Sequence, residues 1–407
     1  MLTRSESVAF NPTICTGMSR PTRSGPITVA PPSSCSILVE IEAEWNAGIT
    51  STLAGAASLP WLAACSSGSD SLTYDDVLRE MTHSDPPPMD RMAVLRDVVR
   101  HAILAASSHN TQPWQFRLSE RLIILHPDLS RRTPAVDPDD HHLFVSLGCA
   151  TENLVHAALA HGLHADIVAA TDHIEVTLEE TRPVRSPLTD AIPLRQCSRS
   201  VYDGATLPNA ELRLLEEAGR GAGVDVILLT HKAQIETVLE YVVRGNVLQI
   251  SDPAFVSELR DWIRFNESDA VRTRDGLFAR CTGSPSVPPW LGRRLLRALL
   301  TAKSENEKAA TQLRSSAGVA VFVAQQNDRS HWIEVGRAYE RFALQATALG
   351  IRNAFLNQPV EVSSLRSQFA GWLGLGNRRP DLVVRFGRGP EMPRSLRRPV
   401  DDVLISA

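Results

Sequence analysis

Six cysteines in 407 residues (Cys15, Cys35, Cys65, Cys149, Cys197 and Cys281) lie far apart, with no C-x-x-C pair and no regular spacing. That pattern excludes a spaced zinc site and a disulfide framework, and no metal is expected. Cys149 and Cys197 read as small buried hydrophobes, because free cysteine usually packs as one. Basic excess is missing as well: Lys plus Arg total 42 against 46 Asp plus Glu, a formal charge of -4. Nucleic acid is therefore not an expected partner. Lysine is scarce among those cations, leaving mainly arginine, whose planar fork suits carboxylate or phosphate. No G-x-G-x-x-G follows a strand pattern, which argues against a separate Rossmann nicotinamide domain. After the N-terminal stretch, no run of 18 or more strongly apolar residues follows.

What is present is a globular composition, 43% hydrophobic and 22% charged, with room for one large or two to three ordinary domains. Residues 1–80 read apart from the rest, as a disordered N-terminal segment with a possible lipoprotein-type signal. Up to roughly Ser36 they are rich in Ser, Thr, Pro and Gly without a periodic apolar face, the composition of a disordered segment. "AGITSTLAGAASLPWLAACSSGSD", Ala47 to Asp70, then closes on Cys65 and resembles the end of a lipoprotein signal, with Cys65 as the lipidated residue. Against this, "VEIEAEWN" places acids where a signal needs a basic flank, and an ordinary amphipathic helix fits equally. Cytoplasmic and exported, membrane-anchored locations both stay open.

From Asp90 the apolar positions Met92, Leu95, Val98, Val99, Ala102, Ile103 and Ala106 carry a helical spacing behind a capping aspartate, which predicts a helix ending at Ser107. "WQFRL" and "LIILH" predict a hairpin, and a second helix runs from Asp139 to His161 and stops at Gly162. "GCATENLVHAALAHG" (Gly148 to Gly162) aligns at a constant offset with "GRAYERFALQATALG" (Gly336 to Gly350), and the same offset pairs Asp140 with Asp328. Strand-like runs flank both. Two copies of one α+β unit follow as the expectation, residues 81–190 and 191–407. A helical, lid-like insertion at about 251–310 interrupts the second.

Chemistry concentrates in two stretches. "ILAASSHNTQPWQF" sets Ser107, Ser108, Asn110 and Gln112 where a helix gives way to a strand. Their hydroxyls and amides suit the alternating N–H and C=O edge of a heterocycle such as a flavin; a helix stop with an Asx-type turn is the other reading. "RQCSRSVYDGATLPNAELRLLEEA" sets Arg195 and Arg199 around a serine, ahead of an aromatic and a helix, a pattern that could grip phosphate or sit as solvated surface charge. No acid, base or nucleophile stands out; Asp137, Asp139, His141 and His142 cluster by a loop, where such residues are commonly caps.

R-x-x-S-R-x-x-[YF] before a helix, A-x-S-x-N-x-Q-P-W before a strand and the Gly-bounded Ala-rich helix together resemble the nitroreductase superfamily. The duplication is similar to its twin, Acg-like branch, over about Met89 to Leu404. The resemblance implies an α+β fold of two mixed or antiparallel sheets with packed helices, an intrachain pseudo-dimer acting as a monomer. It implies FMN at the interface of the halves, NAD(P)H as reductant, hydride transfer through flavin N5 and a small-molecule acceptor. Ser107, Ser108, Asn110 and Gln112 would meet the ring and ribityl chain; Arg195 and Arg199 would take the phosphate, joined by Arg397 or Arg398 from "RRPVDDV". The Arg/Ser motif opens the second unit rather than preceding the first, so one composite site is expected rather than two. A flavin-holding protein without turnover and an exported ligand-binding lipoprotein are the rival classes.

Overall fold

The computed structural model describes residues 72–83 and 90–406; Cys65 and the rest of the N-terminal segment lie outside them. Among the described residues the first elements are α1 (Tyr74–Thr82) and α2 (Arg91–Ala102), then β1 (Trp114–Ser119), β2 (Leu122–Pro127), α3 (His141–Ala160), β3 (Leu163–Ala169), β4 (Ile174–Glu180) and α4 (Pro187–Ala191). It continues through α5 (Asn209–Gly219), β5 (Val224–Leu229), α6 (Lys232–Ser251), α7 (Pro253–Trp262), β6 (Ile263–Arg264), α8 (Glu267–Thr273), β7 (Leu277–Phe278), α9 (Pro289–Leu299) and α10 (Ala302–Arg314). It closes with β8 (Gly318–Ala324), α11 (Arg329–Ala348), β9 (Arg352–Phe355), α12 (Gln358–Glu361), α13 (Ser363–Trp372) and β10 (Pro380–Gly387). The fold is α+β.

Two four-stranded antiparallel sheets carry the same order, β1-β2-β4-β3 and β5-β8-β10-β9. In each, a helix of 20 residues follows the second strand, α3 in one and α11 in the other. These helices cross where Gly148 faces Gly336. A Cβ on Gly148 would stand 2.0 Å from the Ile333 carbonyl oxygen, and one on Gly336 would stand 1.9 Å from that of Val145. The clashes are reciprocal at the offset read from the sequence, the relation of a two-fold axis. Only glycine permits so close a backbone approach.

The main core joins both halves: Leu95, Trp114, Phe116, Leu147 and Leu154 from one, Phe322, Tyr339, Phe342 and Phe386 from the other. A second core covers the outer face of the second sheet, packing Val238 and Val242 of α6, Leu313 of α10 and Phe369 of α13 on Val319, Val321 and Val323. That is why "GVAVFVA" is apolar at every position, whereas "WQFRLS" alternates: β8 is buried on both faces and β1 on one. Helix α3 is apolar and long enough to cross a membrane by composition, but 78% of its apolar window is buried in this core.

The expectation of disorder through residue 80 is corrected at its end. Thr73 and Asp76 form a reciprocal capping box that starts α1. Tyr74 and Val77 of α1 pack on Ala270, Phe278 and Cys281 of the insertion and on Leu396. The helix from Asp90 is capped by that residue, whose side chain accepts from the Ala93 amide, and ends at Ala102 rather than Ser107. The second helix starts at His141, since Asp140 adopts φ 59°.

Candidate functional site

Between Asn110 and Gln112 the backbone is bent on itself: His109, Asn110 and Gln112 have φ of 48°, 54° and 54°. Such left-handed conformations are costly outside glycine and cluster at functional sites. The turn borders a cleft of ≈ 260 Å³. Ser107, Ser108, His109 and Asn110 form one wall, with His142, Ser146 and Cys149 from α3 beside them. Gln196, Arg199, Gln358, Glu361 and Arg394 line the remainder, and Phe255 and Leu277 come from the insertion.

Of the eight residues expected here, six line the cleft: Ser107, Ser108, Asn110, Arg195, Arg199 and Arg397. They are not equivalent. Arg199 is exposed, and its guanidinium makes no hydrogen bond or ion pair among the described residues. Its neighbours hold its position: fully buried Arg385 donates to the Ser198 and Ser200 carbonyls, and the Tyr202 hydroxyl donates to the Ser198 carbonyl at 2.8 Å. Arg195 instead turns inward, its Nε 2.9 Å from Glu340 Oε1 and its Nη2 donating to the Leu104 carbonyl at 2.8 Å. Burial is the largest influence on Arg195 and opposes its charge, but Glu340 together with the neighbouring Tyr339, Cys197 and Cys149 raises it above its ordinary value, so the guanidinium stays protonated. Arg397 donates to the carbonyls of Leu104, Ala105, Ser395 and Leu396, and burial lowers it to about 10. Only its Nε is left unpartnered.

Two expectations are corrected. Gln112 is fully buried outside the cleft, its amide nitrogen donating to the Arg274 carbonyl (2.8 Å) and its oxygen accepting from the Arg398 amide (2.8 Å). The Arg398 side chain donates to the Asp402 carbonyl and points away. Gln112 spends both amide atoms on backbone groups, and Arg398, whose Nη1 lies 3.9 Å from Asp128 without a hydrogen bond, is likewise absent from the cleft lining. Asn110 divides its functions: its Nδ2 donates to the carbonyls of Gly276 and Leu396, while Oδ1 is buried without a partner. The Gly276 amide donates back to the Asn110 carbonyl at 3.1 Å. Arg131 reaches the same turn through Asp275 at 2.9 Å. The insertion is thus clasped over the cleft at residues 274–276.

Asn110 Oδ1, Gln196 Nε2, Gln358 Oε1 and Arg397 Nε, on residues lining this cleft, are buried without a hydrogen-bond partner. A buried polar atom with no partner costs about 1–3 kcal/mol, so these four are groups that a polar ligand there would satisfy. Burial pushes His142 down to about 4 and raises Glu361, with the His142 Nε2 at 3.8 Å from Glu361 Oε1. His109 is likewise lowered to about 4, by burial and then by the Arg199 charge. The wall therefore presents neutral imidazoles beside a carboxyl that holds its proton more firmly than usual. The Cys149 thiol, raised well above its ordinary value by burial, donates to the Gly336 carbonyl and is no nucleophile. Gln196, Gln358, Glu361 and Arg394 were not singled out in the sequence; no shared spacing marks them, because three separate segments bring them together, with Gln358 and Glu361 both on α12.

Asp137, His141 and His142 place ligand-type atoms within 4.8 Å of one another. Each has a structural partner or role: Asp137 accepts from the Leu143 amide at the start of α3, His141 Nε2 meets Asp381 at 2.9 Å, and His142 faces the cleft. Burial raises Asp137 to about 6 and Asp381 to about 7.

No family model matches the chain. Two Mycobacterium tuberculosis proteins named "Putative NAD(P)H nitroreductase" are similar to it. One is 24% identical, covering 76% of this chain and 90% of its own. The other, acg, is 23% identical, covering 78% of this chain and 97% of its own. Among solved structures, the FMN-dependent nitroreductase NfnB of Mycobacterium smegmatis in complex with NADPH aligns at 17% identity and TM-score 0.32, over 50% of this chain and 87% of that one. The likeness to nitroreductases read from the motifs thus extends over most of the described chain.

Proposed function

We propose that this chain is an FMN-dependent oxidoreductase of the nitroreductase kind, drawing electrons from NAD(P)H and delivering them to a small-molecule acceptor. The observation that carries the reading is the group of unpartnered amide and guanidinium atoms on one cleft, which also presents a free arginine. Asn110 Oδ1 and Gln196 Nε2 supply an acceptor and a donor for a ring edge of alternating N–H and C=O groups. Ser107 Oγ accepts from the Gln112 amide at 3.1 Å, which leaves its proton for a ribityl oxygen. Arg199 supplies the uncommitted charge for a phosphate. When bound, FMN supplies the two-electron chemistry, and the protein contributes position, charge and exclusion of water. Phe255 and Leu277 provide the exclusion; Glu361 and His142 hold and release a proton at the wall.

An absorption spectrum of the purified protein with an FMN titration tests this. Arg199→Ala should weaken FMN binding by about 1.5–3 kcal/mol, the worth of a charge-assisted hydrogen bond, while Arg398→Ala leaves it unchanged. Equal affinities in the two variants would remove Arg199 from the site. The clasp favours a second reading, in which FMN is held without turnover because the roof stays shut; NAD(P)H oxidation by flavin-loaded protein decides between them. The reciprocal glycine crossing supports a duplicated unit that serves as its own dimer. Sedimentation should then find FMN bound in the monomer, and flavin confined to a dimer would count against it.

A further inference from the structure

Helix α9 lies in the insertion, and none of its residues lines the cleft. Its sequence, "PWLGRRLLRAL", buries only Gly292, which sits so close to Phe265 that a Cβ would come within 2.2 Å of the ring. Trp290, Arg293, Arg294 and Arg297 recur at the spacing of one helix face, and all four are exposed, Trp290 by 62%. The three arginines form no hydrogen bond or ion pair among the described residues. At the end of the helix Leu299 is 64% exposed.

Charge sets this segment apart. From Gly276 to Ser304 there is no aspartate or glutamate, while Arg280, Arg293, Arg294, Arg297 and Lys303 fall within it, in a chain whose formal charge is -4. Beside the helix a depression of ≈ 460 Å³ is lined by Arg260, Arg264, Arg272 and Arg293 together with Asp261 and Asp269. Arg264 is spent on Asp275, Arg272 on Asp269 and Arg260 on Ser257 and Asp261, which leaves Arg293, among the described residues, as the free cation at its rim.

We propose that α9 docks the protein on an anionic lipid surface. Exposed tryptophan is the side chain that settles at the headgroup level of a bilayer, and arginines on the same face meet lipid phosphates there. Both features point the same way from one helix. A nucleic acid would be served by a longer basic track without apolar ends, and α9 extends only about 16 Å at 1.5 Å per residue. Arg293 at the depression receives a headgroup phosphate while Trp290, one turn earlier, anchors the helix.

The test is flotation of the full chain carrying Cys65→Ser, which excludes acylation, with phosphatidylcholine vesicles and with equimolar phosphatidylcholine and phosphatidylglycerol vesicles. Binding is expected on the anionic vesicles alone, and it should vanish as salt rises from about 0.1 M to about 1 M, shortening the screening length from ~10 Å to ~3 Å. Joint Arg293→Glu, Arg294→Glu and Arg297→Glu should cut the bound fraction about tenfold or more with an unchanged thermal melt. Brominated lipid should quench wild-type fluorescence, and Trp290→Phe should remove that quenching. Four results would each overturn the proposal: no binding by the wild type, equal binding by the charge-reversed chain, equal binding to both vesicles, or preference for single-stranded RNA over anionic vesicles.

Discussion

Helices α3 and α11 occupy equivalent places in two sheets of one order, yet only α3 lines a cleft. His142, Val145, Ser146 and Cys149 form its face of the cleft. At the same offset α11 carries Ser330, Ile333, Glu334 and Arg337. Where α3 has small Ser146 and Cys149, Glu334 and Arg337 meet each other at 2.7 Å, and Arg337 continues to Glu152 at 3.0 Å. An ion-pair cluster fills what the other half leaves open. Glu152 and Glu340 stand at the same offset, both buried and each paired with arginine: Arg337 and Arg341 of α11 across the helix crossing for Glu152, Arg195 from its own half for Glu340. The difference teaches that symmetry of backbone can be kept while a few side-chain volumes assign the cleft to one side.

The largest effect should come from Arg195→Ala, which leaves Glu340 buried with no ion-pair partner. A loss of about 3–5 kcal/mol in urea unfolding is expected. Arg337→Ala should cost far less, about 1 kcal/mol, because Arg341 still meets Glu152 at 2.9 Å. Equal losses would dissolve the contrast between the two carboxylates. Next, Gly148→Ala and Gly336→Ala should each destabilise by roughly 1–3 kcal/mol through overpacking, and by similar amounts, since their clashes mirror each other. A clear inequality would mean that the crossing is symmetric in geometry only.

The pH dependence separates the two faces more finely. His142 titrates at about 4 when folded and near 6.5 when unfolded, so the unfolded chain binds the extra proton between those values. Its contribution is present above about pH 6.5 and is lost as pH falls toward 4. Unfolding free energies of the wild type and His142→Gln should therefore converge, or cross, on acidification through that window. Ser330→Ala, at the equivalent position of α11, should show no such pH-dependent difference. A constant wild-type-to-His142→Gln gap from pH 7 to about 4 would contradict the burial argument.

Much of this frame was legible in the residues. The helices around Gly148 and Gly336, the hairpin of β1 and β2 and the Asp90 cap followed from local spacing, which acts over a few residues. The six expected residues that line the cleft, Ser107, Ser108, Asn110, Arg195, Arg199 and Arg397, stand in motifs that are local in the same sense. What stayed hidden was decided at long range. Gln112 reads like Asn110 in the sequence, but it is spent on backbone groups of Arg274 and Arg398 that only the folded chain brings near. Arg195 reads like Arg199, and only Glu340 separates them. Helix α1 was missed because its apolar face is short, though Thr73 and Asp76 did announce its start.

The clasp at Gly276 has a consequence for time as well as shape. The Asn110 carbonyl holds the Gly276 amide, and the Asn110 side chain holds the Gly276 carbonyl, across a sequence separation of 166 residues. The turn covers only the Asn110 side of the cleft, whose lining also takes in Gln358, Glu361, Arg394 and Arg397, so lifting it uncovers that wall without dismantling the rest. The Gly276 amide proton reports that opening over time: its protection from exchange with solvent deuterium measures the free energy of lifting the turn from the Asn110 carbonyl.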